Sequence, residues 1–317
     1  TYTATLTDAQ GKPVTAQNGP VTVTLDSGKV ITIAEGQSSG SLPVTVGNDL
    51  YKGPVTVTES IKDAVGGNLE LVSPNTTPVT TTVNDVNDTT TVTLSATPSV
   101  AEGGVVTYTA SVNAPVTGTP LVVTLANGQN ITIEVGKTTG TVTTTAPNDA
   151  LTGNPPLTNS ITNVSGGNYE NLVADKTPVS TNVTDTVDTT NLSLSATGTV
   201  AEGGSIVYTA TLTNAAGSPV TVTLSNGSVI TIDAGKTTGT VTVPAPADDV
   251  YKDAGKVEVT IKDAAGGNFE NLVPSTVPAV TEVTDTIDTS TVKLSADTSV
   301  AEGGTVTYTA TVGAPVT

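Results

Sequence analysis

The chain has 317 residues, 31 Gly and 19 Pro, no Cys, His, Met or Trp, and a formal net charge of -18. That length suggests two or three domains, and with aromatics at 3% any core must be built from Val, Ile, Leu and Ala, which favours strands. Without His or Cys there is no imidazole base, thiolate nucleophile, zinc or haem ligand set, or disulfide framework. The basic residues are all Lys and lie scattered along the chain, which excludes a phosphate-tracking surface and so a nucleic-acid partner. No apolar run is long enough to span a bilayer and the N-terminus lacks a signal-peptide pattern. Membrane insertion is not expected, and any export signal would lie outside this segment.

The chain opens at Thr1-Tyr2-Thr3-Ala4, which matches Thr107–Ala110 and Thr307–Ala310. The polar stretch Asp8 to Pro20 carries an insertion, because Tyr2 to Leu25 spans six residues more than Tyr108 to Leu125; loops absorb such changes and strands do not. Ala-Glu-Gly-Gly recurs at 101–104, 201–204 and 301–304, a period of 100 residues. Gly66-Gly67-Asn68-Leu69-Glu70 repeats at 166–170 and 266–270, and Asp85/Asp88 at 185/188 and 285/288. Expected domains are therefore 1–88 with its first strand missing, 89–188, 189–288, and the opening of a fourth at 289–317, as in a piece of a longer array.

Within a copy, Thr107–Val112, Val122–Leu125, Ile131–Ile133, Thr141–Thr143 and Ser160–Thr162 alternate apolar residues with outward Thr, the pattern of half-buried strands. Turn signals separate them: Asn127-Gly128, Asn226-Gly227, Ser27-Gly28, the Gly-Lys-Thr-Thr-Gly segments at 136–140 and 235–239, and the Gly-Gly-Asn segments, read as hairpin loops needing positive φ. About seven short strands in about 100 residues predict an all-β fold of tandem immunoglobulin-like Greek-key β-sandwiches in an elongated array. Tyr108, Tyr208 and Tyr308 are expected in the cores.

Three acidic segments of each copy should share one pole of such a sandwich. The third copy offers Glu202, Asp248, Asp249, Asp253, Asp285 and Asp288. The second offers Glu102, Asn148, Asp149, Asp185 and Asp188, with Gly153 opposite Asp253; the first keeps Asn48, Asp49, Asp85 and Asp88. Carboxylates about 5 Å apart repel by about 3 kcal/mol per pair at an effective dielectric of about 20. Scattered acids are ordinarily solvated surface, but convergence repeated at a fixed period favours a hard cation with six to eight oxygen ligands, calcium rather than magnesium.

Ala201-Glu202-Gly203-Gly204, the stretch Ala234–Val243 and Asp248-Asp249-Val250-Tyr251 together resemble the Calx-beta module, whose calcium ligands come from the corresponding glutamate, acidic pair and C-terminal aspartates. With the joining segment Val183–Thr190, the tandem arrangement is similar to the extender repeats of giant bacterial RTX-type adhesins, the biofilm and ice-adhesion proteins exported by type I secretion. The resemblance covers essentially the whole chain. It implies Ca2+ at or near each linker, stiffening neighbouring repeats of the same chain into a monomeric rod. It implies an extracellular, cell-surface location and a spacer that projects a distal adhesive domain. The alternative is a module binding glycan or protein through a pole or a Thr-rich face. An enzyme is not expected, since nothing suggests a carboxylate pair in a cleft with aromatic platforms.

Overall fold

The computed structural model describes residues 1–316; Thr317, the last residue of the expected fourth segment, lies outside it. Among the described residues every regular element is a strand. The chain divides into two compact units. One holds Thr1–Pro98, Val106–Thr144 and Thr158–Thr181, the other Ser99–Val105, Thr145–Leu157 and the chain from Asn182 onward. The second unit thus contains all of residues 189–288 together with the acidic end of the copy before it.

Residues 189–288 give the architecture in full. Thr238–Pro244, Ser205–Leu212, Thr189–Ala196 and Asn271–Pro274 form a four-stranded sheet in that order. Leu192 pairs antiparallel with Leu212 and Ala196 with Tyr208, while Asn271–Pro274 joins parallel to Thr189–Leu192. Two three-stranded sheets complete the sandwich: Val229–Ile232, Val220–Leu224 and Ile261–Gly266, and Thr199–Ala201, Ala279–Thr284 and Gly255–Val259. Period-two alternation sets the core. Leu192, Ile206, Tyr208, Ala210 and Leu212 meet Val220, Val222, Leu224, Ile230 and Ile232, all buried, at about 1.5–3 kcal/mol for each fully buried large aliphatic side chain.

Ten strand segments replace the seven expected, for three reasons. The first strand changes sheets between Ala196 and Thr199, the stretch 255–266 changes sheets at Thr260, and Asn271–Pro274 adds a strand after Gly-Gly-Asn. Not every Thr faces outward: Thr281 is fully buried, and its Oγ1 donates to the Thr197 carbonyl at 2.7 Å. This bond staples the first strand where it leaves one sheet. Thr181 does the same for Thr97 in the first unit. The Gly-Gly-Asn segment is a crossover rather than a hairpin, with Gly266, Gly267 and Asn268 all at positive φ.

In the first unit, Val21–Leu25 lies between Val30–Ile33 and Ile61–Gly66 over a core of Ala4, Ala16, Val21, Val23, Leu25, Ile31, Ile33 and Ala64. The insertion after Thr7 closes on itself. Asp8 donates its N–H to the Lys12 carbonyl at 2.8 Å and Gly11 donates to Asp8 at 3.0 Å, so the sheets beneath it are undisturbed. Tyr108 and Tyr208 are core residues, whereas Tyr308 is 69% exposed. Its strand Tyr308–Val312 pairs only with Val292–Ala296 among the described residues, and no facing sheet covers the ring.

Candidate metal centre at the repeat poles

The turn that carries Glu102 and Glu202 is shaped by its glycines. Gly103 and Gly203 take φ of 67° and 68°, a conformation only glycine adopts freely. A Cβ on Gly204 would sit 2.6 Å from Val200 Cγ2 and 2.9 Å from the Ala201 carbonyl oxygen. Gly203 donates to the Pro246 carbonyl at 2.7 Å and Glu202 to Thr284 at 3.1 Å. The glutamate is thereby clamped between the acidic loop and the last strand, with its residue only 8% exposed; Glu102, in the same clamp, is 6% exposed.

Two groups of carboxylates have ligand oxygens within 4.8 Å of one another: Glu202, Asp253 and Asp285, and Glu102, Asp188 and Glu270. Of the other expected acids, Asp49, Asp149 and Asp249 each turn one oxygen back to cap their own loop, accepting the N–H of Tyr51, Leu151 or Tyr251 at 2.8, 2.8 and 2.7 Å. Asp85 and Asp185 accept from the N–H of Gly53 and Gly153 at 2.7 and 2.8 Å. Asn148 Nδ2 donates to Asp188 Oδ2 at 2.9 Å, as Asn48 does to Asp88. Asp248 accepts from the Thr286 hydroxyl. Asp288 is exposed and lies outside both groups.

Glu170 and Glu270 were not expected at the poles. Each is the last residue of the Gly-Gly-Asn-aromatic-Glu segment, and each reaches the end of the copy before its own. Glu270 Oε2 accepts the Asp188 N–H at 2.5 Å, and Glu170 Oε2 accepts the Asp88 N–H at 2.6 Å. The acid recurs at Glu70, Glu170 and Glu270, so the period carried the signal. What the period could not convey is that the loop faces a different copy.

A second contact joins the same loops through backbone. Within the first unit, Lys52 N–H donates to Asn168 O at 2.9 Å and Glu170 N–H to Leu50 O at 3.0 Å. Asn168 Nδ2 donates to Lys52 O at 3.0 Å, and Tyr51 stacks on Tyr169 with centroids 5.6 Å apart. Within the second unit, Thr152 N–H donates to Asn268 O at 2.9 Å and Glu270 N–H to Ala150 O at 3.2 Å, and Leu151 bridges Phe269.

The electrostatics of the two groups differ. The hydrogen bond with Asp253, then burial, then the charges of Asp253, Asp285 and Asp249 push Glu202 up to about 7. Glu102 is lowered, first by a hydrogen bond from Asn154 and then by the Thr186 N–H. For Glu270 the Asp188 N–H lowers the value, but burial and the charges of Glu102, Asp188 and Asp185 outweigh it and the net shift is upward. The ion pairs among the described residues, Lys29 with Glu59 and Lys256 with Glu282, involve none of these acids.

The family model described as the LapA domain matches three successive stretches, 1–86, 88–186 and 188–286. The chain belongs to the LapA domain family. No curated protein matches it. LapA repeats are structural elements of large bacterial adhesins, so this is an adhesin-like structural repeat region. The three LapA repeats share the Asp-capped loop, and the first two also receive the Glu reaching back from the next repeat. They differ at the position after the loop lysine or threonine, where the first two have Gly53 and Gly153 and the third Asp253.

Proposed function

We propose that these LapA repeats are a calcium-stiffened spacer of a bacterial surface adhesin, holding a distal adhesive segment away from the cell. One observation carries the reading: acids of two successive repeats meet at one point, with Glu270 of the third repeat grouped within 4.8 Å of Glu102 and Asp188 of the second. No lysine forms an ion pair with these acids among the described residues. The donors are all oxygen, and one carboxylate oxygen in each group, Glu202 Oε2 and Glu270 Oε1, is buried with no hydrogen-bond partner among the described residues, which suits a hard cation preferring six to eight oxygens. Glu102, Asp188 and Glu270 would hold one Ca2+ and Glu202, Asp253 and Asp285 another, and the bound ion would supply the positive charge that draws these acids together. Sites of the weak modular class, with Kd of about 10⁻⁴–10⁻³ M, would be loaded outside the cell.

Calorimetric titration of the chain with calcium, with melting and small-angle scattering in calcium and in chelator, tests this. A ligand at about 100 times its Kd stabilises by about 2.7 kcal/mol, which corresponds to a rise in Tm of about 10 °C or more for a domain of this size. Chelation should also increase flexibility. No heat of binding, together with the same maximum dimension in both conditions, would overturn the proposal.

A further inference from the structure

The second and third repeats differ at one point of the pole in a way that the shared family does not require. In the third, Asp253 puts a third carboxylate beside Glu202 and Asp285, and the next residue, Ala254, has no side-chain donor. In the second, the matching pair is Gly153 and Asn154. Gly153 adopts φ of 89°, which turns the chain so that the following side chain, rather than its own position, supplies the pole. There Asn154 Nδ2 donates to Glu102 Oε1 at 2.6 Å and to Asp185 Oδ1 at 2.8 Å, so both hydrogens of one amide nitrogen lie between two carboxylates.

The remaining oxygen of Glu102 is also satisfied. Its Oε2 accepts the Thr186 N–H at 3.1 Å, with the Thr186 hydroxyl at 3.4 Å. The equivalent Glu202 is 8% exposed, and its Oε2 has no hydrogen-bond partner among the described residues. A buried carboxylate oxygen left without a partner is costly, and its two neighbours here are acids.

We infer that the second repeat satisfies its inner acidic site with the side-chain amide of Asn154, a neutral stand-in for a cation, whereas the third repeat keeps the same site open for a divalent cation on Glu202, Asp253 and Asp285. This rests on the reading of the poles as calcium sites and assigns different calcium requirements to successive repeats. The second repeat is left with the junctional group of Glu102, Asp188 and Glu270, and its inner pole holds together in chelator. The inner pole of the third does not.

Two isosteric exchanges in the full chain test the inference, each read by calcium stoichiometry and by melting in chelator. Asn154→Asp removes the amide donor and adds a third carboxylate; the expected result is one more calcium per chain and a lower melting temperature in chelator, restored by calcium. Asp253→Asn should do the reverse, with one calcium fewer and a higher melting temperature in chelator, and it stands as an independent test should the first variant not fold. Calcium binding by the unaltered chain, with neither exchange moving stoichiometry or chelated stability, overturns the inference and leaves the spacer reading intact. No calcium binding by the unaltered chain overturns the spacer reading and with it the open site of the third repeat.

Discussion

The backbone contact between Ala150–Thr152 and Asn268–Glu270 needs no cation, so it should persist when the acids are stripped of metal, and Asn268→Gly measures it. Asn268 sits at φ of 54°, which glycine adopts without strain, so the substitution deletes the side chain and leaves the loop conformation accessible. Two bonds are lost: Asn268 Nδ2 to Thr152 O at 2.9 Å and Thr152 Oγ1 to Asn268 Oδ1 at 2.9 Å. Neutral hydrogen bonds contribute about 0.5–1.5 kcal/mol each. At this exposed position the pair should be worth about 1–2 kcal/mol, an increase of about 5–30-fold in the opening equilibrium. Amide hydrogen exchange in chelator reads it at Thr152 and Glu270, whose N–H groups bond to Asn268 O and Ala150 O. Both should be protected in the parent chain and exchange faster by that factor in the variant. Amides already exchanging at the unprotected rate in the chelated parent would refute the reasoning, since the contact would then depend on the cation.

Two further outcomes follow from the same geometry. In chelator, Glu202 binds its proton more tightly folded, at about 7, than at its ordinary value of 4.5, so its contribution to stability falls as pH rises through that window. The advantage of Glu202→Gln over the parent should therefore grow from pH 5 to pH 8 in thermal melts and shrink when calcium is added; a gap independent of pH would contradict the assignment. A Cβ on Gly239 would lie 2.3 Å from the Thr231 carbonyl oxygen, so Gly239→Ala should destabilise by about 1–3 kcal/mol, about 5–20 °C in Tm. Gly198→Ala, which meets nothing within 4 Å, should leave the melt nearly unchanged, and equal effects of the two would count against the packing argument.

The alternation of Ile131 and Ile133 with Thr132 was enough to assign a half-buried strand and its inward face, because side-chain direction in a strand has period two, and both isoleucines are fully buried. Thr281 is an exception to outward Thr: it lies on the inward face and is admitted there because its hydroxyl finds the Thr197 carbonyl where the first strand switches sheets. Gly239 read as part of a turn. Its conformation is that of an ordinary strand, and the demand for glycine comes from a carbonyl of the neighbouring strand. At the pole, the convergence of Glu202, Asp253 and Asp285 was legible because three segments at fixed spacing must end at one side of a Greek-key sandwich. The capping role of Asp249 was not, since a carboxylate that bonds the N–H two residues on looks the same in sequence as one facing its neighbours.

By itself the sequence determined the all-β class, the 100-residue repeat, the absence of thiol and imidazole chemistry, and the end of each sandwich where negative charge gathers. These follow from composition and from periodicities that act within one copy. Only the tertiary structure decided that Glu170 and Glu270 reach the copy before their own, that the Asn154 amide lies between two carboxylates, and that Glu202 has an oxygen with no partner among the described residues. Each of these depends on distances between segments far apart in the chain, and a repeat period records that such segments recur without recording which copy they face.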